Sequence, residues 1–250
     1  MRLEEMRPHQ IRAAIAGNIP AVLPIGVQEY HGEHLPVGVD LLAVTRCVER
    51  LEAAVPERLI LLPAFAYGAA SFAVSGPERG TLQVEAAAFQ PFALGLFAGL
   101  LAMGFRNVHG VIHHQTENFV QGMPTDRAFR LAARQAVFAH LEAERGKGWW
   151  GKGEMAEYYA GHARGDNPFN WIAIHPLMPP EVAAHFPFDH AGEGETALML
   201  ALCPDLVEGA RMGENDTWYT AGAPRATRAQ GEAGVAVIMG HLRGVLGLGR

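Results

Sequence analysis

Glu29, His31 and Asp40 are three potential metal ligands within twelve residues, and they follow a short apolar run, AVLPIGV. In an extended segment the side chains of Glu29 and His31 point to the same side, because strand side chains alternate with a period of two. Asp40 lies where a helical pattern begins, so its carboxylate can turn back toward the end of the run. Two carboxylates and an imidazole suit Zn, Mn or Fe. The pattern favours a metal site, although a polar loop that only solvates a strand end contains the same residue types.

A second polar cluster, HHQTEN, runs from His113 to Asn118 and directly follows another apolar run. In a regular strand the side chains of His113 and His114 point to opposite sides, so we expect one of them to face the site and the other to face away. A single histidine in such a place is often a buried, hydrogen-bonded residue. Two polar clusters at consecutive strand ends strengthen the interpretation as ligands.

A third cluster, DHAGEGET, runs from Asp189 to Thr196 and opens an apolar helical segment. Glu193 and Glu195 fall in the first helical turn, where the helix dipole favours negative charge, so capping is one explanation for them. His190 precedes that turn and could reach a metal site as a proton carrier, because an imidazole titrates near neutral pH.

Apolar runs alternate with segments of helical periodicity along the whole chain. This order predicts an α/β fold with a mostly parallel sheet that is covered by helices on both faces. Ligands bind to such sheets where strands end, which is where the three clusters lie. Residues 1–250 contain no repeat or linker and are expected to form a single domain. The predicted strands are Ala21–Val27, Leu59–Leu62, Asn107–Ile112 and Ile172–Ile174, and the predicted helices are Asp40–Val55, Val84–Met103, Thr125–Arg145, Glu193–Leu202 and Arg228–Leu246.

Composition restricts the class of protein further. The chain has 250 residues, 49% of them hydrophobic, and a net charge of −6, which argues against a nucleic-acid partner. Cys47 and Cys203 form no CxxC pair, and the charged N-terminus has no apolar core of a secretory signal, so we expect a reducing, cytoplasmic location. The most apolar stretch, Ala86–Met103, is interpreted as a buried helix rather than a membrane span.

Taken together, the clusters resemble the creatininase family. The segment from Leu23 to Asp40 is similar to the family pattern LPxGxxEqHGpHLPxxxD, and His190 to Thr196 is similar to HAGExET. Shorter similarities, to PxxxyG and GTL, lie between them, and the whole resemblance extends from Ile19 to Leu202. It implies a layered α/β/α fold, two divalent metal ions (Zn, Mn or Fe) per chain, a hexameric homo-oligomer, and hydrolysis of cyclic or linear amides such as creatinine.

The resemblance also implies roles for particular residues. By position, Glu29 and His31 would each bind a separate metal ion, and Asp40 would bridge the two. His114 corresponds best to the ligand histidine of the family's third-strand motif. His190 corresponds to the histidine that assists proton transfer.

The third-strand motif departs from the family pattern. Creatininases have a glutamate two residues after the ligand histidine, and Thr116 occupies that place here. Either Glu117, after a local shift, or Glu195 from the third cluster could supply the missing carboxylate. We favour Glu195 as the ligand and keep Glu117 as a candidate catalytic residue.

Aromatic residues are the candidates for substrate contacts. Trp149 and Trp150 are flanked by glycines, in a region similar to the one where creatininases have a tryptophan, and could form a mobile lid. A tryptophan pair buried at a subunit contact is the alternative explanation. Tyr30, within the first cluster, is the third candidate for substrate binding.

The favoured function is a binuclear, metal-dependent hydrolase that cleaves the C–N bond of a small cyclic amide. Two ions would lower the pKa of a shared water toward neutrality, and His190 would protonate the leaving atom. The first alternative is C–C ring opening of a cyclic polyol diketone such as 3-dehydro-scyllo-inosose. The second is a metal-stabilised binding or regulatory protein without turnover, against which the presence of His190 argues.

Overall fold

The protein is built around one sheet of four parallel strands, as seen in a computed structural model that describes residues 1–114, 118–165 and 167–249. The strands are β1 (Ala21–Ile25), β2 (Ile60–Leu61), β3 (Val108–Ile112) and β4 (Ile172–Pro176), and their order in the sheet is β2-β1-β3-β4. Ala21 pairs with Ile60 on one side and with Val108 on the other. All five residues of β1 and of β3 are buried, as expected for parallel strands covered on both faces.

Helices cover both faces of the sheet, which confirms the predicted α/β class. The helices are α1 (Pro8–Ala16), α2 (Val39–Ala54), α3 (Ala86–Met103), α4 (Pro124–Arg145), α5 (Tyr158–Arg164), α6 (Pro180–Ala183), α7 (Glu193–Leu202) and α8 (Arg228–Val245). One hydrophobic cluster joins α3 and α4 to one face of the sheet, and a second joins α2, α7 and α8 to the other face. The short helix α1 precedes the first strand and was not foreseen in the sequence.

The chain changes direction across the sheet between β1 and β3. From β1 it passes through α2 to β2 on one side, and β3 then returns to pair with the other side of β1. In parallel sheets a crevice opens beyond the carboxyl ends of two such strands. The first polar cluster follows β1 and the second follows β3, so the topology brings them to the same crevice.

Helix α3 is less buried than expected. It has no charged residue, and its length and composition alone would allow it to cross a membrane, yet only 28% of it is buried. Phe89 and Phe97 pack in the core, whereas the opposite face exposes Phe92 and Met103. The interpretation as a buried helix is therefore right for one face only, because a helix on the outside of a sheet buries only the stripe that faces it.

Candidate metal centre

The loop after β1 carries the first ligands to the crevice. Gly26 allows the start of α2 to cross close to the end of β1, because a Cβ atom at this position would lie 2.5 Å from the backbone nitrogen of Leu41. The backbone N–H of Glu29 donates to the carbonyl oxygen of Val37, which closes the loop. Asp40 is consequently the second residue of α2 and is buried beside the strand end.

Asp40 belongs to two groups of possible metal ligands. In the first group, Nδ1 of His114 lies 3.0 Å from Oε1 of Glu29 and 3.2 Å from Oδ2 of Asp40. In the second group, Nε2 of His31 lies 3.5 Å from Oδ1 of Asp40 and 3.4 Å from Oε2 of Glu195. Within each group the ligand atoms lie within 4.8 Å of one another, and all the residues are buried. The oxygen and imidazole donors of each group suit a divalent metal ion, and Asp40 is common to both groups.

Backbone carbonyls orient both histidines of these groups. Nδ1 of His31 lies 3.0 Å from the carbonyl oxygen of Glu29, and Nε2 of His114 lies 3.2 Å from that of Ala69. A carbonyl oxygen only accepts, so each of these ring nitrogens carries a proton, and the opposite nitrogen of each ring is the one placed to bind a metal ion. Nε2 of His31 is buried and makes no hydrogen bond with any of the described residues. An orphaned buried nitrogen among carboxylates fits a position for a metal ion.

The charges of this cluster are strongly coupled. Burial by itself lowers the pKa of His31, but the carboxylates of Glu195 and Asp40 outweigh burial and raise that pKa to about 10. Burial correspondingly raises the pKa of Glu195, and the imidazoles of His31 and His113 reverse this and hold it at about 2. The carboxylates therefore stabilise positive charge at the cluster. A divalent cation would supply that charge and displace protons from the imidazoles.

His113 faces the site together with its neighbour, contrary to the expectation that one of the pair faces away. Nε2 of His113 lies 3.0 Å from Oε1 of Glu195, while His114 contacts Glu29. The cause is the backbone of His114, whose φ of +81° lies in the left-handed region and breaks the alternation of the strand. Gln115, Thr116 and Glu117 follow immediately, and the candidate Glu117 lies outside the described residues.

Glu195 enters the cluster from the start of α7. Its Oε2 accepts a hydrogen bond of 2.7 Å from the backbone N–H of Ala191. The carboxylate of Asp189 in turn accepts from the backbone N–H groups of Gly194 and Glu195, at 2.7 and 3.0 Å. Asp189 thus satisfies two N–H groups in the first turn of α7, whose N-cap is Gly192, and holds the turn that presents Glu195.

One ring nitrogen of His190 faces the cluster. Its Nε2 lies 2.9 Å from the carbonyl oxygen of Tyr30 and therefore donates to it. Its Nδ1 lies 3.8 Å from Oε1 of Glu29, and its ring centre lies 4.3 Å from that of His31. A neutral imidazole in this tautomer can accept a proton on the site-facing atom and release it again.

A cavity of about 400 Å³ lies over the cluster. Its lining is polar where it consists of the cluster and mainly apolar elsewhere. We call the cluster residues of this lining the floor and the other residues the upper walls. The floor contains Glu29, Asp40, His113, His114, His190 and Glu195, and the upper walls include Val74, Met123, Phe188, Trp218 and Tyr219.

The three residues predicted to contact the substrate lie outside the lining of this cavity. Tyr30 is buried outside the cavity lining, and its hydroxyl bonds Glu33 at 3.0 Å. Trp149 is only 6% exposed and packs against Phe169 near α4, away from the cavity. Trp150 packs on Tyr158 with ring centres 4.3 Å apart. Aromatic neighbours hold both indoles in a separate cluster, so neither lines the cavity.

The aromatic residues that do line the cavity were missed in the sequence. Trp218 and Tyr219 stand in a segment rich in Gly, Asn, Asp and Thr, far from the three motifs. The one local signal for them is an aromatic pair within a polar segment, because no apolar pattern around the pair assigns it to the hydrophobic core.

Comparisons with known proteins agree with this architecture. The fold and the buried cluster define an α/β protein with a donor set that suits divalent metal ions. The family model described as "Creatininase: Creatinine amidohydrolase" matches residues 4–243, so the chain belongs to the creatininase family. The resemblance proposed from the motifs is thereby confirmed.

Individual relatives support the same family. The chain is 28% identical over 211 residues to the creatinine amidohydrolase of Pseudomonas putida, a match that covers 81% of this chain and 71% of that protein. A crystal structure of creatinine amidohydrolase superimposes with a TM-score of 0.68 at 22% identity, covering 99% of this chain and 96% of the other. A mutant creatininase complexed with creatine superimposes with a TM-score of 0.67 at 21% identity, covering 98% and 96%. Other creatininase structures of this group are named for manganese and for a zinc–zinc form.

Proposed function

We propose that this chain is a binuclear metal-dependent amidohydrolase that opens a small cyclic amide, creatinine being the first substrate to test. The observation that supports this most is the position of Asp40, whose two carboxylate oxygens face two separate ligand groups. Relatives named as creatinine amidohydrolases support C–N cleavage and do not favour the diketone alternative. The finer assignments below, two ions per chain and their ligands, belong to the same proposal.

The ligand groups would hold the two ions with Asp40 between them. Glu29 and His114 complete one position, and His31 and Glu195 complete the other. Bound divalent ions at such a site polarise a carbonyl and activate water at neutral pH. The carbonyl acceptors of His31 and His114 keep both imidazoles in the orientation that ligation needs.

His190 would manage the proton of the reaction. Its Nδ1 faces the cluster and its Nε2–H remains bonded to the carbonyl of Tyr30, so the ring keeps its orientation while Nδ1 gains or loses a proton. A proton taken up at Nδ1 can be delivered to the leaving nitrogen of the amide. The apolar upper walls would exclude water from the opposite side of the substrate.

Variants at His190 and the ligands distinguish these roles. Asp40→Asn should remove both ions and all activity, because it weakens both groups, whereas His190→Asn should keep the ions and lose about 10²–10⁴-fold in kcat. Glu195→Gln should lose metal from the second group, and Glu193→Gln is its control, because Glu193 in the same turn bonds Arg225 outside the cluster.

The measurements are metal analysis by mass spectrometry and turnover of creatinine, other cyclic amides and inosose-type diketones. Full metal content in Asp40→Asn would contradict the shared-ligand assignment. Two bound ions with diketone opening and no amide turnover would contradict the amidohydrolase proposal.

We also propose a cytoplasmic homo-oligomer, with helix α3 in the contact between copies. The exposed face of α3 carries no charge, and both Gly95 and Gly99 have open space where a Cβ atom would lie, so a second α3 could approach closely. A membrane is a poorer explanation for the exposed apolar face of α3, because the opposite face of this helix packs in the core. Phe92→Glu should shift the sedimentation coefficient toward that of the monomer, and an unchanged coefficient would contradict this interface.

A further inference from the structure

Segment 215–220 forms one rim of the cavity and is held in place from two sides. Oδ1 of Asn215 accepts a hydrogen bond of 2.8 Å from the backbone N–H of Glu33, in the loop after β1. The guanidinium of Arg79 donates to both oxygens of Asp216, at 3.0 and 2.8 Å. The bidentate geometry fixes direction as well as distance.

Tyr219 adds a third attachment on the other side of the segment. Its hydroxyl donates to the carbonyl oxygen of Val74, in the loop after β2, at 3.1 Å. Its ring meets the ring of His190 edge-on, with centres 5.1 Å apart. The segment is therefore tied to the loop after β1, to the loop after β2 and to the candidate proton carrier.

Trp218 lies between these attachments and is nevertheless 88% exposed. Its indole lines the cavity, and within the described residues its ring contact is with Tyr219, at 5.8 Å between centres. A large aromatic side chain that stays in water, on a backbone fixed at both ends, offers an apolar surface that is already in position for a ligand. The tryptophans favoured by sequence lie elsewhere, so this position is available for substrate recognition.

We propose that Trp218 determines substrate specificity by covering one flat face of a ring whose carbonyl lies at the polar floor. This inference rests on the proposed amidohydrolase function and specifies its substrate class as a planar ring. A flat ring presents polar atoms at its edge and an apolar face, which matches a cavity with a polar floor and an indole at its mouth. A linear amide lacks that face and gains little from the indole.

Two metal-binding probes that differ in a ring provide the test. Benzohydroxamate and acetohydroxamate share the chelating group, and only the first carries a planar ring. Their dissociation constants are measured by calorimetry on the metal-loaded protein, in the wild type, Trp218→Ala, Trp218→Phe and Trp150→Ala. Trp150→Ala is the matched control, since Trp150 is also exposed, at 47%, and lies outside the cavity.

We expect Trp218→Ala to weaken benzohydroxamate about tenfold and acetohydroxamate less than about twofold, which corresponds to roughly 1.4 kcal/mol of ring contact. Trp218→Phe should restore most of the loss, and Trp150→Ala should change neither probe. An unchanged benzohydroxamate affinity in Trp218→Ala would overturn the inference and leave the metal centre intact. Failure of both probes to bind the metal-treated wild type would instead contradict the proposed function on which the inference rests.

Discussion

His109 on β3 and His175 on β4 form a buried hydrogen bond of 2.9 Å between Nδ1 of the first and Nε2 of the second. Nε2 of His109 also lies 2.8 Å from Oδ1 of Asn107, whose amide nitrogen donates to the carbonyl of Asn18. An amide oxygen only accepts, so Nε2 of His109 carries its proton and Nδ1 accepts from His175. The network is complete with both rings neutral and has no place for a second proton between them.

Acid should therefore destabilise the protein through this pair. Burial lowers the pKa of His109 to about 3 and that of His175 to about 4, from an ordinary value of 6.5. His241 on α8 and Arg130 on α4 lower the pKa of His175 further by charge repulsion. Below pH 6.5 this pair of histidines binds more protons in the unfolded chain than in the folded chain. Their contribution to stability is therefore complete above that pH and decreases as the pH falls toward the folded pKa values.

The magnitude for His109 follows from the two pKa values. Between pH 7 and pH 5 the unfolded imidazole becomes protonated while the folded one stays neutral, which costs about 2 kcal/mol of unfolding free energy. The assay is urea unfolding at both pH values for the wild type, His109→Gln, and the control His9→Gln, whose side chain is exposed on α1. We expect His109→Gln to lose about 2 kcal/mol less stability than the other two between pH 7 and pH 5. An identical loss in all three proteins would refute the reasoning.

Three further predictions concern the elements that position the site. A Cβ atom in Gly26→Ala would lie 2.8 Å from the carbonyl carbon of Asp40, so the start of α2 must move and turnover should fall about 10²-fold. The control Gly240→Ala, which has open space on α8, should be neutral, and a comparison of kcat and metal content between the two variants checks this. Asp189→Asn keeps only one acceptor oxygen for the two N–H groups at the start of α7, so the turn that presents Glu195 is held less firmly. Metal titration should then show about 10–100-fold weaker binding. Undiminished metal affinity would argue against a positioning role for Asp189. Thr227→Ala removes the cap of α8 and should cost about 1 kcal/mol in urea unfolding, with kinetics unchanged.

Much of the fold and part of the site were predictable because the relevant signals are local. Alternation of apolar runs and helical segments predicted the parallel sheet, since each strand is buried along its whole length. Glu29, His31 and Asp40 lie close in sequence, and the extended loop and the start of α2 bring them together with few alternatives. The creatininase family could be recognised for the same reason, because each of its motifs is a continuous stretch of sequence.

The tertiary structure decided which distant residues complete the site. Glu195 reaches His31 across the chain because α7 packs on α2, and no spacing in the sequence states that contact. The left-handed backbone of His114 lets His113 and His114 face the site together, although the strand pattern predicts that they point to opposite sides. Local periodicity determines the side of a regular element on which a residue lies, and it carries no information where the backbone leaves that regularity.

Aromatic residues show the same limit. Trp149 and Trp150 are flanked by glycines, which suggested a mobile lid in the sequence. Ring contacts with Phe169 and Tyr158 hold them away from the cavity. Trp218 lines the cavity because long-range hydrogen bonds tie its flanking residues to other loops. The sequence by itself determined the alternating framework and the ligands next to one strand end. Only packing between distant segments determined which side chains close the site, because those contacts depend on the whole set of elements around the sheet.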